Sequence, residues 1–297
     1  MKLITLNCHS LIEEDYEEKF PLFIGGICAE RPDILALQEV NQTMGGPEVS
    51  PEELIQTGYI PPGGDTSPLP VRRDNHGFRC AKALSCQGLP LSWTWIPAKT
   101  GYGRYDEGLA LFSSFPIKEA EGFYITGSHD YQNWRTRKAV LAALQLPEGL
   151  QYACCLHMGR WDDPQEPFSR QWRRLMDRLY PLSGYRIWLL GDFNAPSWRR
   201  KESLDLILED GWLDTFASGQ GASCGSIREG WTVSEGIDGW RDQGQAPEGM
   251  RIDYIFTNQP ACVSSSRVIF TPKLYGTVSD HRAVAVKIQN NVTKGDI

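Results

Sequence analysis

The sequence predicts an α/β fold in one domain, on three observations. Short apolar runs of strand length recur along the chain, helical periodicities lie between some of them, and the runs tend to end in Asn, Asp, Glu or His. Taken in order, KLITLNC (2 to 8) is the first strand. Phe20, Phe23, Ile24, Ile27 and Cys28 then fall on one face of a helix. ILALQEV (34 to 40) is the second strand. Residues 41 to 90, rich in Pro and Gly, match neither period and are expected to be loops around a functional site.

GLALFSS (108 to 114), KAVLAALQL (138 to 146) and QYACCLHM (151 to 158) have the length and composition of buried strands. A second helix places Phe168, Trp172, Leu175, Met176 and Leu179 on one side and Arg170, Arg173, Arg174 and Arg178 on a solvated other. RIWLLGDFN (186 to 194) follows. The Gly-rich stretch 217 to 250, with Trp231 and Trp240, again lacks a period, and RIDYIFT (251 to 257) and HRAVAVKI (281 to 288) complete the strands. No interdomain linker or repeat is visible, so residues 1–290 are read as one catalytic domain and 291–297 as a polar tail.

Composition narrows the function. With 41% hydrophobic and 23% charged residues in 297, the chain can bury a sizeable core. A formal net charge of -7 argues against an extended nucleic-acid footprint, without excluding a local one. The N-terminal residues lack the apolar core of a secretory signal, and no segment approaches the ~20 apolar residues of a membrane span. None of the eight cysteines forms a CxxC pair, and Cys154 and Cys155 are adjacent in an apolar run. That usage suits a reducing compartment better than a disulfide framework or a zinc site, so a cytoplasmic location with no membrane partner is expected.

The strand ends carry the chemistry. Asn7, Glu39, His157, Asp192 with Asn194, Asp253, and Asp280 with His281 sit at or near the ends of apolar runs. Each alone is ordinary turn or surface chemistry. Together they could converge on one crevice at the sheet edge, where α/β folds bind ligands. Carboxylates so close repel one another unless compensated, and a hard cation held by one or two carboxylates supplies the compensation. In an extended strand residues i and i+2 share a face, which would point Asp192 and Asn194 into the same small volume.

The ordered set LNCH, LQEV, GLALFSSFPI, LHMG, LLGDFN, RIDYIF and SDHRAV resembles the endonuclease/exonuclease/phosphatase superfamily from Asn7 to Val286. The resemblance implies a deoxyribonuclease I-like four-layer α/β sandwich, two packed mixed β-sheets flanked by helices, hydrolysing phosphate esters with Mg²⁺ or Mn²⁺. It also implies roles: Glu39 as principal metal ligand with Asn7 and Asp280, Asp192 deprotonating the attacking water, and Asn194 fixing the nucleophile or a phosphate oxygen. His157 and His281 would donate to the phosphate, with Asp253 orienting His281.

The inserts must name the ester, because the core serves monoesters and diesters alike. GRYDEGLALFSSFPI, SHDYQNWRTRKAV, HMGRWDDPQEPFSRQW and TVSEGIDGWRD resemble bacterial maltose 6'-phosphate phosphatases, which implies a small phosphorylated sugar as partner. Arg135, Arg137 and Lys138 would then hold the phosphate. Asp130, Asp162, Asp163 and Asp238 would accept from sugar hydroxyls, and the loop tryptophans Trp134, Trp161, Trp198, Trp231 and Trp240 could stack on sugar faces. A Mg²⁺-dependent nuclease or abasic-site repair endonuclease is the alternative on the same catalytic set.

Overall fold

Which way the side chains alternate along each strand decides the layering. The computed structural model describes residues 1–65, 69–199, 201–219, 230–234 and 249–289. Its strands are β1 Lys2–Asn7, β2 Ile34–Gln38, β3 Gln42–Thr43, β4 Gly63–Gly64, β5 Ser92–Gly101, β6 Tyr105–Ser113, β7 Ile117–Tyr124 and β8 Lys138–Leu146. They continue with β9 Gly149–His157, β10 Arg186–Asp192, β11 Leu213–Asp214, β12 Val233–Ser234, β13 Gly249–Met250, β14 Asp253–Thr257, β15 Val263–Ile269 and β16 Ala283–Ile288. The helices are α1 Tyr16–Glu30, α2 Pro51–Gln56, α3 His76–Cys86, α4 Phe168–Leu179, α5 Ser203–Glu209 and α6 Thr215–Gly219.

Two mixed sheets result. One runs β15-β16-β1-β2-β6, with β5 on the far side of β6 and β3 paired to the start of β6; the other runs β11-β14-β10-β9-β8-β7-β4. Leu3, Ile34, Ala36, Leu109, Leu111, Val140, Ala153, Cys155, Trp188, Leu190, Ile255 and Val284 fill the space between the sheets. The alternate residues face outward. Ile4, Leu6, Leu35 and Leu37 pack on α1 and α3, whereas Leu141, Cys154, Leu189, Tyr254 and Phe256 pack on α4 and α5. Helices, sheet, sheet, helices make four layers, as expected. All eight predicted strand runs and both predicted helices are present.

The inner faces change character at one end of the sandwich. β1 and β2 are parallel, as are β9 and β10, while β14 and β16 run against their neighbours. The last residues of the first four therefore lie beside the first residues of the last two. Leu3 gives way to Thr5 and Asn7, Trp188 and Leu190 to Asp192, Ala153 and Cys155 to His157, and Ile255 leads back to Asp253, all on the inner-face parity. Gln38 lies at the transition, donating to Thr5 Oγ1 at 3.1 Å and Cys155 Sγ at 3.2 Å.

Three of the longer strands escape a reading by period, besides five of two residues each. β5 carries Pro97, and its register against β6 shifts between Pro97 and Lys99, as expected of proline at a bulge. The shift sets Lys99 opposite Glu107, and the ammonium meets the carboxylate at 2.6 Å inside the protein. β7 and β15 each expose a polar face. The stretch 41 to 90 holds α2 and α3, capped at Ser50 and Asn75 by side chains accepting from Glu53 N and Phe78 N. Most of 217 to 250 and the predicted tail lie outside the described residues.

Two stability predictions follow from buried groups. Breaking the Lys99–Glu107 pair from one side leaves a buried charge, so K99M is expected to lower unfolding free energy by ~3 kcal/mol. K99M/E107L should recover most of that loss in urea denaturation. His76, in α3 under α1, is buried with Tyr16 Oη 2.8 Å from Nδ1, Cys80 Sγ 3.4 Å from Nε2, and the Phe20 and Phe23 rings around it. Burial, with a smaller contribution from Arg79, pushes its pKa down to about 3. Above the ordinary histidine pKa of ~6.5 the ring is neutral folded or unfolded, and His76 contributes no pH dependence. Below it the unfolded chain takes up a proton that the fold refuses, costing roughly 2 kcal/mol between pH 6.5 and 5. H76L should flatten that part of the stability-pH curve; an unchanged slope would refute the assignment.

Candidate active site

Nine of the residues nominated from sequence stand at the polar end of the sandwich. Asn7, Glu39, Arg137, His157, Asp192, Asn194, Asp280 and His281 line one cavity of about 380 Å³, and Asp253 is buried behind His281. Asn7 Nδ2 lies 2.8 Å from Glu39 Oε1 and 3.2 Å from Asp192 Oδ2, donating between carboxylates that belong to different sheets. His281 Nδ1 meets Asp253 Oδ2 at 3.0 Å, and His281 Nε2 and His157 Nε2 lie 3.8 and 3.7 Å from Asp192 Oδ2.

Local backbone conformations aim these side chains. Glu39 comes one residue after β2, at φ +53°, so its carboxylate leaves the strand direction and enters the cavity. The expected strand geometry for Asp192 and Asn194 is corrected here. β10 stops at Asp192 and Asn194 is left-handed at φ +47°, so a tight turn brings the two side chains to the cavity. The Asn194 N–H donates to Asp192 Oδ1 at 2.8 Å and Asn194 Nδ2 donates to Met158 O at 2.9 Å. Gly191 must be glycine, since a Cβ there would stand 2.0 Å from Leu156 O on β9. Tyr254 Oη, 2.6 Å from Ala195 O, braces the same turn from β14. Across the cavity Ser279 Oγ donates to Asn7 O at 2.7 Å and accepts from His281 N at 3.1 Å, fastening the Asp280–His281 turn to β1.

The two histidines differ in charge, one cationic and one neutral. His281 is held well above its usual pKa by Asp253, with help from Asp192 and Asp280, against the desolvation that opposes it. It is an imidazolium at neutral pH. Burial, then Arg137, Lys99 and His281, holds His157 well below its usual range, so it is neutral. Burial and the nearby Asp253 raise Asp192 to about 7, against His281 and the hydrogen bonds from Asn194 and Asn7. Burial and Glu107 also raise Glu39.

Such a concentration of carboxylates fits a cation. Asp192, Asp253 and His281 bring one ligand atom each within 4.8 Å of one another in a fully buried group that can hold a metal once His281 gives up a proton, and His9, Glu13 and Asp280 do so at the rim. Asp253 Oδ1 is buried without a hydrogen-bond partner. Among the described residues no Lys or Arg pairs with Glu39, Asp192 or Asp280, and Glu39, Asn7 and Asp280 offer only oxygen donors, the type hard divalent ions prefer.

The binding residues divide. Arg137 faces the cavity; it is 8% exposed, Nη1 donates to Trp134 O at 3.0 Å, Nε has no hydrogen-bond partner, and no carboxylate among the described residues pairs with it. Arg135 and Lys138 are corrections, since neither lines the cavity. Arg135 Nε is bound to Asp163 at 2.7 Å and its guanidinium lies 4.2 Å from the Trp134 ring centre. Lys138 is buried on β8, 4.4 Å from the Tyr124 ring centre, and desolvation lowers its pKa to about 8. Asp130, Asp162 and Asp163 are engaged by Gln132 N, Arg160 and Arg135. Trp161 is buried. Asp238 and Trp240 lie outside the described residues. The cavity also takes His9, Lys99, Tyr102, Glu107, Trp134 and Arg160, of which the sequence reading had singled out only Trp134. His9 closes the LNCH motif, the one available signal.

Solved structures share this fold. An endonuclease/exonuclease/phosphatase family protein from Leptotrichia buccalis aligns at 26% identity and TM-score 0.81, over 98% of this chain and all of its own. A mannosyl-6-phosphatase of Bacteroides thetaiotaomicron (16%, TM-score 0.61, 98% and 100%) and TDP2 of Caenorhabditis elegans (16%, TM-score 0.61, 98% and 74%) share the fold. No curated protein matches the sequence. Among the described residues no helix is long and apolar enough to cross a membrane. The model of the Endonuclease/Exonuclease/phosphatase family matches residues 5–281, which takes in the whole constellation, and the chain belongs to that family.

Proposed function

We propose that the protein is a Mg²⁺- or Mn²⁺-dependent phosphomonoesterase acting on a sugar phosphate, with maltose 6'-phosphate as substrate and maltose and phosphate as products. The observation that carries the proposal is Arg137. A buried guanidinium with no carboxylate partner among the described residues, facing a cavity of about 380 Å³ that also holds a carboxylate cluster, is a receptor for a doubly charged terminal phosphate. The volume suits a small ligand better than a duplex.

The side chains then have distinct tasks. Asp192, whose pKa lies near 7, accepts the proton of the attacking water, while Asn194 fixes the geometry of that corner through Met158. The His281 imidazolium, aligned by Asp253, donates to the phosphate oxygens as charge builds, and neutral His157 adds a second N–H without adding charge. Glu39, Asn7 and Asp280 would hold the metal ion, which supplies charge neutralisation at the phosphate. Phosphoryl transfer needs positioning and electrostatics more than covalent chemistry, so this set is sufficient.

Phosphate release from maltose 6'-phosphate and glucose 6-phosphate, and strand cleavage of an abasic-site duplex, all at ~5 mM Mg²⁺, test the proposal. The sugar phosphates are expected to be hydrolysed, with activity lost on chelation. D192N should lower kcat by about 10²- to 10⁴-fold. R137A should lower kcat/KM by about 10- to 100-fold, the loss of a charged hydrogen bond. Duplex cleavage with both sugar phosphates untouched would overturn the proposal in favour of a nuclease.

A further inference from the structure

We infer that Trp134 and Tyr102 form a stacking subsite for a second sugar ring, so that the site selects a disaccharide phosphate over a monosaccharide phosphate. The inference rests on the sugar-phosphate reading and adds to it the part of the substrate that lies beyond the phosphate.

Both aromatics line the cavity while staying 54% and 56% exposed. A large exposed ring is unremarkable on a floppy loop, but these two are mounted rigidly. In the loop between β7 and β8, Thr136 N donates to Asn133 O at 2.9 Å, Thr136 Oγ1 to Asp130 O at 2.6 Å, and Asn133 Nδ2 to Ser128 Oγ at 3.0 Å. The Arg135 guanidinium covers the Trp134 ring at 4.2 Å and is itself held by the buried Asp163 carboxylate. Tyr102, in the turn between β5 and β6, has its hydroxyl 3.3 Å from His9 Nε2. The two loops are tied together, Thr100 N donating to Tyr131 O at 2.8 Å.

The same loop links this platform to the phosphate end of the cavity, because Arg137 donates to the Trp134 carbonyl. A leaving group extending from a phosphate at Arg137 along this loop meets the Trp134 ring, and Tyr102 lines the same cavity. Charge decides its chemistry. Among the described residues, Arg160, which lines the cavity, is paired with Asp162, and Arg135, which packs on Trp134, with Asp163. A polynucleotide leaving group would bring further phosphates to these already paired arginines, whereas a sugar brings apolar C–H faces suited to aromatic rings and no charge.

The test is the ratio of kcat/KM for maltose 6'-phosphate to that for glucose 6-phosphate in wild type, W134A, W134F and Y102A, with circular dichroism confirming folding. The wild-type ratio is expected to exceed one. W134A should lower it about tenfold, mainly through KM, and W134F should restore most of it. Equal turnover of both esters by wild type, with the ratio unmoved in W134A and Y102A, would overturn the subsite while leaving the phosphatase reading intact. Hydrolysis of neither sugar phosphate would overturn both. A loss in W134A confined to cleavage of the abasic duplex would assign the rings to nucleobases and reject the sugar subsite.

Discussion

One carboxamide ties the two sheets together where they part. Asn7 Nδ2 stands between Glu39, which follows a strand of one sheet, and Asp192, which ends a strand of the other. Stacked sheets lie ~10 Å apart, a gap that elsewhere in this sandwich is filled by apolar side chains. At the polar end the gap is bridged by hydrogen bonds from a donor short enough to serve both sides. The distance between the two carboxylates is thereby fixed by packing, since Asn7 shares its strand with Leu3 of the inter-sheet core.

Electrostatic labour is divided by what stands behind each ring. His281 is backed by Asp253, which itself accepts nothing at Oδ1, while His157 is flanked by the cations Arg137 and Lys99. Two residues of one type thus supply a fixed positive charge and a neutral donor at the same carboxylate. Lys99 sits opposite Glu107 because β5 bulges after Pro97, so a backbone irregularity on the first sheet adds to burial and Arg137 in keeping a histidine on the second neutral.

Where a residue's role follows from an apolar run, the sequence is readable. The eight runs give eight of the described strands, and polar residues at their ends are among those that meet at the cavity. β5 was not readable, because Pro97 and a bulge break its alternation, and with it went Lys99 and Glu107. Lys138 was misread for a related reason: NWRTRK looks like one basic patch, but β8 begins at Lys138 and pulls it inside, while the turn before it spends Arg135 on Asp163 and leaves Arg137 to the cavity. Asn194 was placed correctly for the wrong geometry. Extended spacing and a left-handed turn after Asp192 both return residue 194 to the same side.

Around this cavity His9, Ser10, Glu39 and Asn194 all hold positive φ, between +45° and +53°, in a region that side chains other than glycine's resist. Each such residue costs of order 1–3 kcal/mol and persists only because its surroundings enforce it. Random variation judged only by folding would drift toward glycine at these positions, relaxing the backbone and erasing the carboxylate of Glu39 or the amide of Asn194. The chain thus carries a standing conflict between conformational ease and chemical competence. A thermally hardened descendant chosen without regard to turnover is where that conflict would surface.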